Sequence, residues 1–491
     1  MNEQKIDNFY GDWLKNLPHL NEGYIYLEGK TLRPARYIFS YFKKLISNFL
    51  NDNIDEFEKI VLLPGIRGVG KTTLLMQIFK IEKFLDDNDT QLVQNLKKLD
   101  YRFYFDVNKL HFEQITLNEF FKFFEKVNNF NFVGLNKKVL LLLDEVHFDP
   151  RWSLFLKVLF DSIKGHKNLL VIATGSSALN IRMSADLARR STVTELYPMK
   201  FNEYLALKHG VHPVNGASDE LQKIFFSSQG AKEVFKQLKK QADDVMRFFI
   251  NLPPQADEDF FKNGGFPFTV GLCNQIEISE RIKNIIDGVI TKDVITLRTF
   301  KTGTVSKVND LLYLLANSDL ISFDKLQKSL RIENIRTLSA LLDVLVMSGI
   351  LLKIKSYGQT YGTTRKTPKY LFITPSLRSA ILDNAFPSGI EGKKIEDYFA
   401  LIFQRDIKRR EIFGPLKLSY DVAEGGADFV LTLKDRSNIV IEVGFNKEET
   451  KQVENTMKKV KSRYGLVFGS SSLELVNNSI VKIPLKFLLL I

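Results

Sequence analysis

The chain of 491 residues contains a single cysteine, Cys273. One thiol makes no intramolecular disulfide and builds no cysteine-rich zinc site, so the core alone must hold the fold, and a reducing compartment suits it. Long hydrophobic runs are also missing. Apolar stretches such as Val139–Leu143 and Phe487–Ile491 fall far short of the roughly 20 residues that span a bilayer. The opening residues, MNEQKIDNFYGDWLKNL, have no apolar core of signal-peptide length. A soluble, cytoplasmic chain without a membrane partner is the expectation. No repeat period and no low-complexity tract is present either. What the chain does have is 44% hydrophobic and 26% charged residues, an ordinary globular composition with material for about three domains. Its 69 Lys and Arg exceed its 57 Asp and Glu, and the net charge of +12 admits anionic partners without naming one.

Residues 1–55 read as a helical lead-in in which Phe39, Tyr41, Phe42, Leu45 and Phe49 take the spacing of an amphipathic helix. Over 56–200, the apolar runs Ile60–Leu63, Phe103–Phe105, Val139–Leu143 and Leu169–Ala173 alternate with helical patterns. Runs that short and that apolar predict strands buried on both faces, hence an α/β fold with a parallel sheet covered by helices. Residues 201–300 read as helical, with breaks around Val214–Glu220 and Asn263–Pro267. Residues 301–387 give helix, helix, helix and a two-stranded ribbon, the order of a winged-helix domain. Residues 388–491 read as a small α/β domain with strands at Phe429–Leu433, Ile439–Val443, Gly465–Phe468 and Ile480–Ile483.

The sharpest motif is Gly65-Ile66-Arg67-Gly68-Val69-Gly70-Lys71-Thr72-Thr73, placed between the Ile60–Leu63 strand and a helical stretch. A polyphosphate needs converging backbone N–H groups, which a glycine-rich loop and a helix N-terminus supply. Lys71 is expected to reach the β- and γ-phosphates of ATP, and Thr72 to ligate Mg²⁺. The Val139–Leu143 strand ends in Asp144 and Glu145, where parallel sheets hold ligands. Asp144 is the expected metal anchor and Glu145 the general base, a role contributing about 10²–10⁴-fold in rate. Thr174 or Ser176, after the next strand, would sense the γ-phosphate or the attacking water, unless both are turn residues capping a helix. Arg190 would bring a guanidinium to the γ-phosphate, or else end a helix in solvent.

These motifs, with Glu195-Leu196-Tyr197-Pro198-Met199-Lys200-Phe201-Asn202-Glu203-Tyr204, resemble the prokaryotic P-loop ATPases of the AAA+ class near the STAND and origin-recognition-like branches. In that group a Leu-x-Pro-Leu-x-Phe-x-Glu segment follows the core. Residues 196–203 match it with Met199 for the usual Leu, and Gly264-Gly265-Phe266-Pro267 is similar to an element of its helical lid. The resemblance implies ATP and Mg²⁺ bound at Gly70, Lys71, Thr72 and Asp144, hydrolysis through Glu145, a winged helix, and a C-terminal domain similar to PD-(D/E)xK, or restriction-endonuclease-like, nucleases. Such nucleases hold Mg²⁺ with an Asp on one strand and a Glu on the next, followed two residues later by Lys. Asp428 and Glu442 fit the carboxylates, with Glu396 as a third member of a vestigial metal site. Gly444 stands at the lysine position, which predicts lost cleavage unless Lys447 substitutes.

Three functions are therefore weighed. The first is a Mg-dependent ATP-hydrolysing switch acting on double-stranded DNA, with Lys353, Lys355, Arg365, Lys366, Lys369, Lys408, Arg409, Arg410, Lys458, Lys459, Lys461 and Arg463 as basic clusters. The second is a nucleotide-regulated protein-binding scaffold, because the helix pattern Ile335–Met347 offers only Arg336, Thr337, Ser339 and Asp343 for base readout. The third is a metal-dependent nuclease. An arginine acting in trans would require a homo-oligomer.

Overall fold

A computed structural model describes residues 3–27, 31–129, 131–175, 185–294, 300–317, 322–358, 367–382, 390–408, 410 and 413–491, which divide into two compact units, Met1–Leu196 and Tyr197–Ile491. The apolar runs of the first unit form strands where their composition predicts them: β1 (Ile60–Pro64), β2 (Tyr101–Asp106), β3 (Val139–Asp144) and β4 (Leu169–Gly175), joined by the short β5 (Thr192–Val193). Every residue of β1, β3 and β4 is buried. The sheet is parallel throughout, in the order β2-β3-β4-β1-β5. That order sets the C-terminal ends of β1, β3 and β4 side by side.

The lead-in belongs to this unit. Helix α1 (Glu3–Ile25) sends Trp13 onto β2, where its ring stacks on Tyr104 at 5.7 Å and its indole N–H donates to the Tyr104 carbonyl at 3.0 Å. Helix α2 (Phe39–Leu50) buries Phe39, Phe42, Leu45, Ile46, Phe49 and Leu50, a stripe at helical spacing, and each such side chain contributes about 1.5–3 kcal/mol on burial. Helix α3 (Lys71–Phe79) follows β1 directly after the glycine-rich loop.

The second unit begins with the helices Phe201–His209, Ala217–Ser227, Ala231–Ile250, Ala256–Asn263 and Gln275–Gly288. Four more follow over Thr302–Val305, Val308–Asn317, Phe323–Leu330 and Ile335–Met347, the last capped by the Asn334 side chain. Then comes an antiparallel ribbon of β6 (Leu351–Ser356) and β7 (Lys369–Phe372). The remaining strands are β8 (Lys417–Tyr420), β9 (Phe429–Thr432), β10 (Asn438–Val443), β11 (Ser462–Phe468), β12 (Glu474–Val476) and β13 (Ile480–Ile483).

The ribbon does not stand apart from these strands. β6 pairs in parallel with β8, so one mixed sheet runs β12-β13-β11-β10-β9-β8-β6-β7 across the boundary expected at residue 387. Arg378 strengthens the same junction. It is buried, grips Asp397 at 2.6 and 2.8 Å, and donates to the Ala316 carbonyl at 2.7 Å, while Asp397 also accepts the Phe372 N–H. Removing one member of such a pair costs about 3–5 kcal/mol because the other charge stays buried.

The two family-like segments also have structural work here. Glu203 is fully buried and ion-paired to Arg405 at 2.7 Å, and Arg405 also donates to the Pro198 carbonyl. Gly265 has φ +97°, its carbonyl accepts the Met199 N–H at 2.7 Å, and a Cβ there would lie 2.4 Å from Thr374 Oγ1. Only glycine fits that turn. Among the described residues no helix is long and apolar enough to cross a membrane.

Candidate functional site

The glycine-rich loop lies between β1 and α3, so its backbone N–H groups and the N-terminal end of α3 converge on one place. Gly65 is obligatory there, because an added Cβ would sit 2.5 Å from the Leu196 carbonyl oxygen. Gly68 and Gly70 adopt left-handed φ values of 81° and 92°. Lys71 is buried and its Nζ donates to the carbonyls of Gly65, at 2.9 Å, and Ile66, at 3.3 Å. Val69 is held from the lead-in, since its carbonyl accepts the Arg36 guanidinium at 2.7 Å. Arg67 keeps a buried Nε with no hydrogen-bond partner among the described residues. Thr72 and Thr73 occupy the first turn of α3.

Asp144 ends β3 beside this loop, and Glu145 follows it. The Asp144 carboxylate receives hydroxyl hydrogen bonds from Thr174, from Tyr104 at 3.1 Å, and from Thr72. Burial first, then the Glu145 charge, push Asp144 up to about 6 against those hydroxyls. Three neutral donors thus orient the carboxylate without cancelling its charge. Burial, then the Asp144 charge, also hold Tyr104 well above the ordinary phenol range, so it remains a donor. Glu145 has a left-handed φ of 54°, its N–H donates to Thr174 Oγ1 at 3.1 Å, and its carboxylate lies 3.5 Å from His147 Nδ1. A non-glycine residue in that conformation is strained, a pattern that clusters at functional sites.

Thr174 therefore joins both acids, as one of the two alternatives expected from sequence. Ser176, the other, lies outside the described residues. Arg190 does not come to this site. It precedes β5, which pairs with the N-terminal half of β1, and it bonds Asp161 at 3.2 Å, at the opposite end of the sheet from the loop. Reading the sequence also missed Arg36, Tyr104 and His147. The signal for Tyr104 was the polar spacing of β2, where Tyr104 and Asp106 alternate with phenylalanines and Asp106 registers against Asp144. Tyr24 on α1 also feels Asp144, since burial and then that charge raise its pKa.

Residues 57–205 match the AAA domain family, and residues 258–388 match a family described as a domain of unknown function. The uncharacterized protein MJ1637 of Methanocaldococcus jannaschii is 30% identical over 97% of this chain and 93% of its own length. The chain belongs to the same family as MJ1637. MJ1544 of the same organism is 24% identical over 56% of this chain and 50% of its own length. The Walker-type ATPase PABY2304 of Pyrococcus abyssi is a structural neighbour with a TM-score of 0.38 and 14% identity, over 69% of this chain and 94% of that one. Within the region that matches the AAA domain, the residues present fit both ATP and Mg²⁺. The loop, Lys71 and α3 suit phosphates. Thr72 with a buried, charge-stressed Asp144 suits a divalent cation.

The acidic set of the second unit is assembled too. Asp428 precedes β9 and Glu442 lies near the end of β10, and the register Phe429↔Ile441 brings them together. Glu396 meets them from the helix Ile390–Ile402. Two lysines meet these acids. Lys369 on β7 bonds Glu396 and lies 3.3 Å from Asp428 Oδ1, while Lys447 lies 2.7 Å from Glu442 Oε1. The other Asp428 oxygen accepts the Val443 N–H, and the other Glu442 oxygen accepts the Asp428 N–H, both at 3.1 Å. Burial first, then Asp428, push Glu442 up to about 7 despite Lys447. The set expected at Glu396, Asp428 and Glu442 does not fit Mg²⁺ as it stands, because the Lys369 and Lys447 ammoniums already supply it with positive charge. Among the described residues no group of three or more His, Cys, Asp or Glu is arranged to hold a metal ion.

The basic clusters are partly spent in ion pairs: Lys459 with Asp421, Arg463 with Asp435, Arg410 with Asp219 and Lys353 with Asp343. Arg365, Lys366 and Arg409 lie outside the described residues. A cleft of about 250 Å³ where β6 and β8 diverge is walled by Lys353, Lys355, Lys408 and Lys417 over an apolar floor, and none of its described lining residues is acidic.

Proposed function

We propose that this protein is a Mg-dependent, ATP-binding and ATP-hydrolysing molecular switch acting on double-stranded DNA. The observation that carries the reading is the buried Asp144, oriented by Thr72, Thr174 and Tyr104 beside the Lys71 loop. Gly65, Ile66, Arg67, Gly68, Val69, Gly70 and Thr73 would cradle the phosphates by backbone N–H groups. Lys71 would leave its loop carbonyls for the β- and γ-oxygens. Thr72 and Asp144 are the residues that would hold Mg²⁺, whose charge offsets that of the phosphates. Glu145 would take the proton of the attacking water, with Thr174 fixing the Glu145 backbone. Arg190, at the other end of its own sheet, would serve a neighbouring copy in a homo-oligomer.

Isothermal calorimetry with Mg-ATP tests the core. Lys71→Ala should abolish binding, and Glu145→Gln should keep binding while losing turnover. Unchanged binding in Lys71→Ala sinks the reading.

Lys355, Lys408 and Lys417 of the cleft support the DNA part, since each phosphate neutralised adds affinity and salt dependence, while Lys353 is paired with Asp343. The residues 302–372 that hold its β6 wall have the helix and ribbon order of a winged helix. A protein-binding scaffold is favoured by a different observation. On the helix Ile335–Met347, Thr337 bonds the Asn334 cap and Asp343 is tied to Lys353 at 2.8 Å, so these two are not presented to bases. A duplex gel shift across a salt series separates the two. A steep loss of binding with salt supports DNA, and no binding supports the scaffold.

A further inference from the structure

The two lysines at the acidic centre of the second unit come from places that the nuclease pattern does not use. Lys369 lies on β7, the outermost strand of the sheet, and only 5% of its side chain is exposed. Its ammonium spans Glu396 on the helix Ile390–Ile402 and Asp428 before β9, and rests 5.4 Å from the Phe429 ring centroid. Lys447 follows β10, and its stem crosses the space above Gly444, where an added Cβ would meet Lys447 Cδ at 3.3 Å. The room left by the missing side chain at 444 is thus taken by Lys447, whose Nζ also bonds Gln452 at 2.7 Å.

We infer that Lys369 and Lys447 are the resident cations of this centre, so that it is a metal-independent ionic clasp fastening the β6–β7 ribbon to the C-terminal strands. The geometry carries this in three ways. Mg²⁺ needs a near-octahedral oxygen shell at about 2.0–2.1 Å, and to take the Lys-facing oxygen of Asp428 or Glu442 it must compete with an ammonium already there. The displaced Lys369 would remain buried and unpaired, which is more costly than the paired state. Finally, the ribbon needs the clasp. Among the described residues β6 joins β8 over two registered pairs, Lys355↔Ser419 and Ser356↔Tyr420, extended by the Tyr357 N–H to the Tyr420 carbonyl, with Tyr420 also bonding the Thr367 carbonyl. The carboxylates thus keep a nuclease-like placement while their counter-charge comes from the chain itself.

The test uses the full chain, Mn²⁺ as the probe and two readouts, electron paramagnetic resonance for bound Mn²⁺ and calorimetry for unfolding. Wild type and Asp428→Asn should bind the same number of Mn²⁺ ions. Lys369→Met should lower the Tm of its transition by roughly 5–10 °C, and millimolar Mn²⁺ should recover part of that loss by entering the vacated position. Should Lys369→Met fail to fold, Lys447→Met offers the same readout at a less buried lysine. A Mn²⁺ site present in wild type and lost in Asp428→Asn overturns the proposal. So does a lysine variant whose Tm is unchanged, or one that folds with a lowered Tm and gains nothing from Mn²⁺.

Discussion

Each unit gathers carboxylates at strand ends, and the two treat them in opposite ways. At Asp144 the partners are hydroxyls of Thr72, Thr174 and Tyr104, which orient the group and leave its charge uncancelled. At Asp428 and Glu442 the partners include two ammoniums, which offset part of it. A buried acid surrounded by neutral donors is receptive to an external cation, whereas one already paired is not. The comparison teaches that carboxylate geometry alone does not identify a metal site. The charge of the donors decides.

The largest expected effect separates the centres by chemistry. Glu145→Gln should lower ATP turnover by about 10²–10⁴-fold, while Glu442→Gln should leave turnover at the wild-type value, as measured by phosphate release. Next is stability. Lys369→Met should cost about 3–5 kcal/mol in denaturant unfolding, because two acids stay buried without their cation.

A pH series sharpens the contrast further. Glu442 is raised from 4.5 to about 7 by burial and by Asp428, so its contribution is full below pH 4.5 and is lost as pH rises through 7. The second unit should lose up to about 3 kcal/mol across that window, and Glu442→Gln should flatten the curve. The smallest effect is at the hydroxyls. Tyr104→Phe should cost only about 1 kcal/mol, read as a small Tm shift, since one hydrogen bond to Asp144 is lost and two remain.

Much of the first centre is legible in the sequence, for a physical reason. The loop, α3 and the Asp144–Glu145 strand end are local, and each is written in consecutive residues. Tyr104 and Arg36 are not, because they reach the site through strand order and through packing of the lead-in, which apolar periodicity does not encode. The second centre shows the same limit more sharply. Glu396, Asp428 and Glu442, and Gly444 as a missing lysine, are legible through the resemblance to PD-(D/E)xK nucleases. That Lys369, 59 residues before Asp428, supplies a charge depends on the β6–β8 pairing. Long-range pairing also explains why the strand β8 is absent from the strands read in the sequence.

The Arg36 contact has one more effect. In a trans peptide the carbonyl and the following N–H point in opposite directions. By drawing the Val69 carbonyl toward itself, Arg36 turns the Gly70 amide hydrogen to the other face of the loop. A residue more than thirty positions upstream thus sets the polarity of a peptide in the phosphate cradle. A fragment begun at residue 56 would keep every glycine of the motif and lose the guanidinium that aims one of its dipoles.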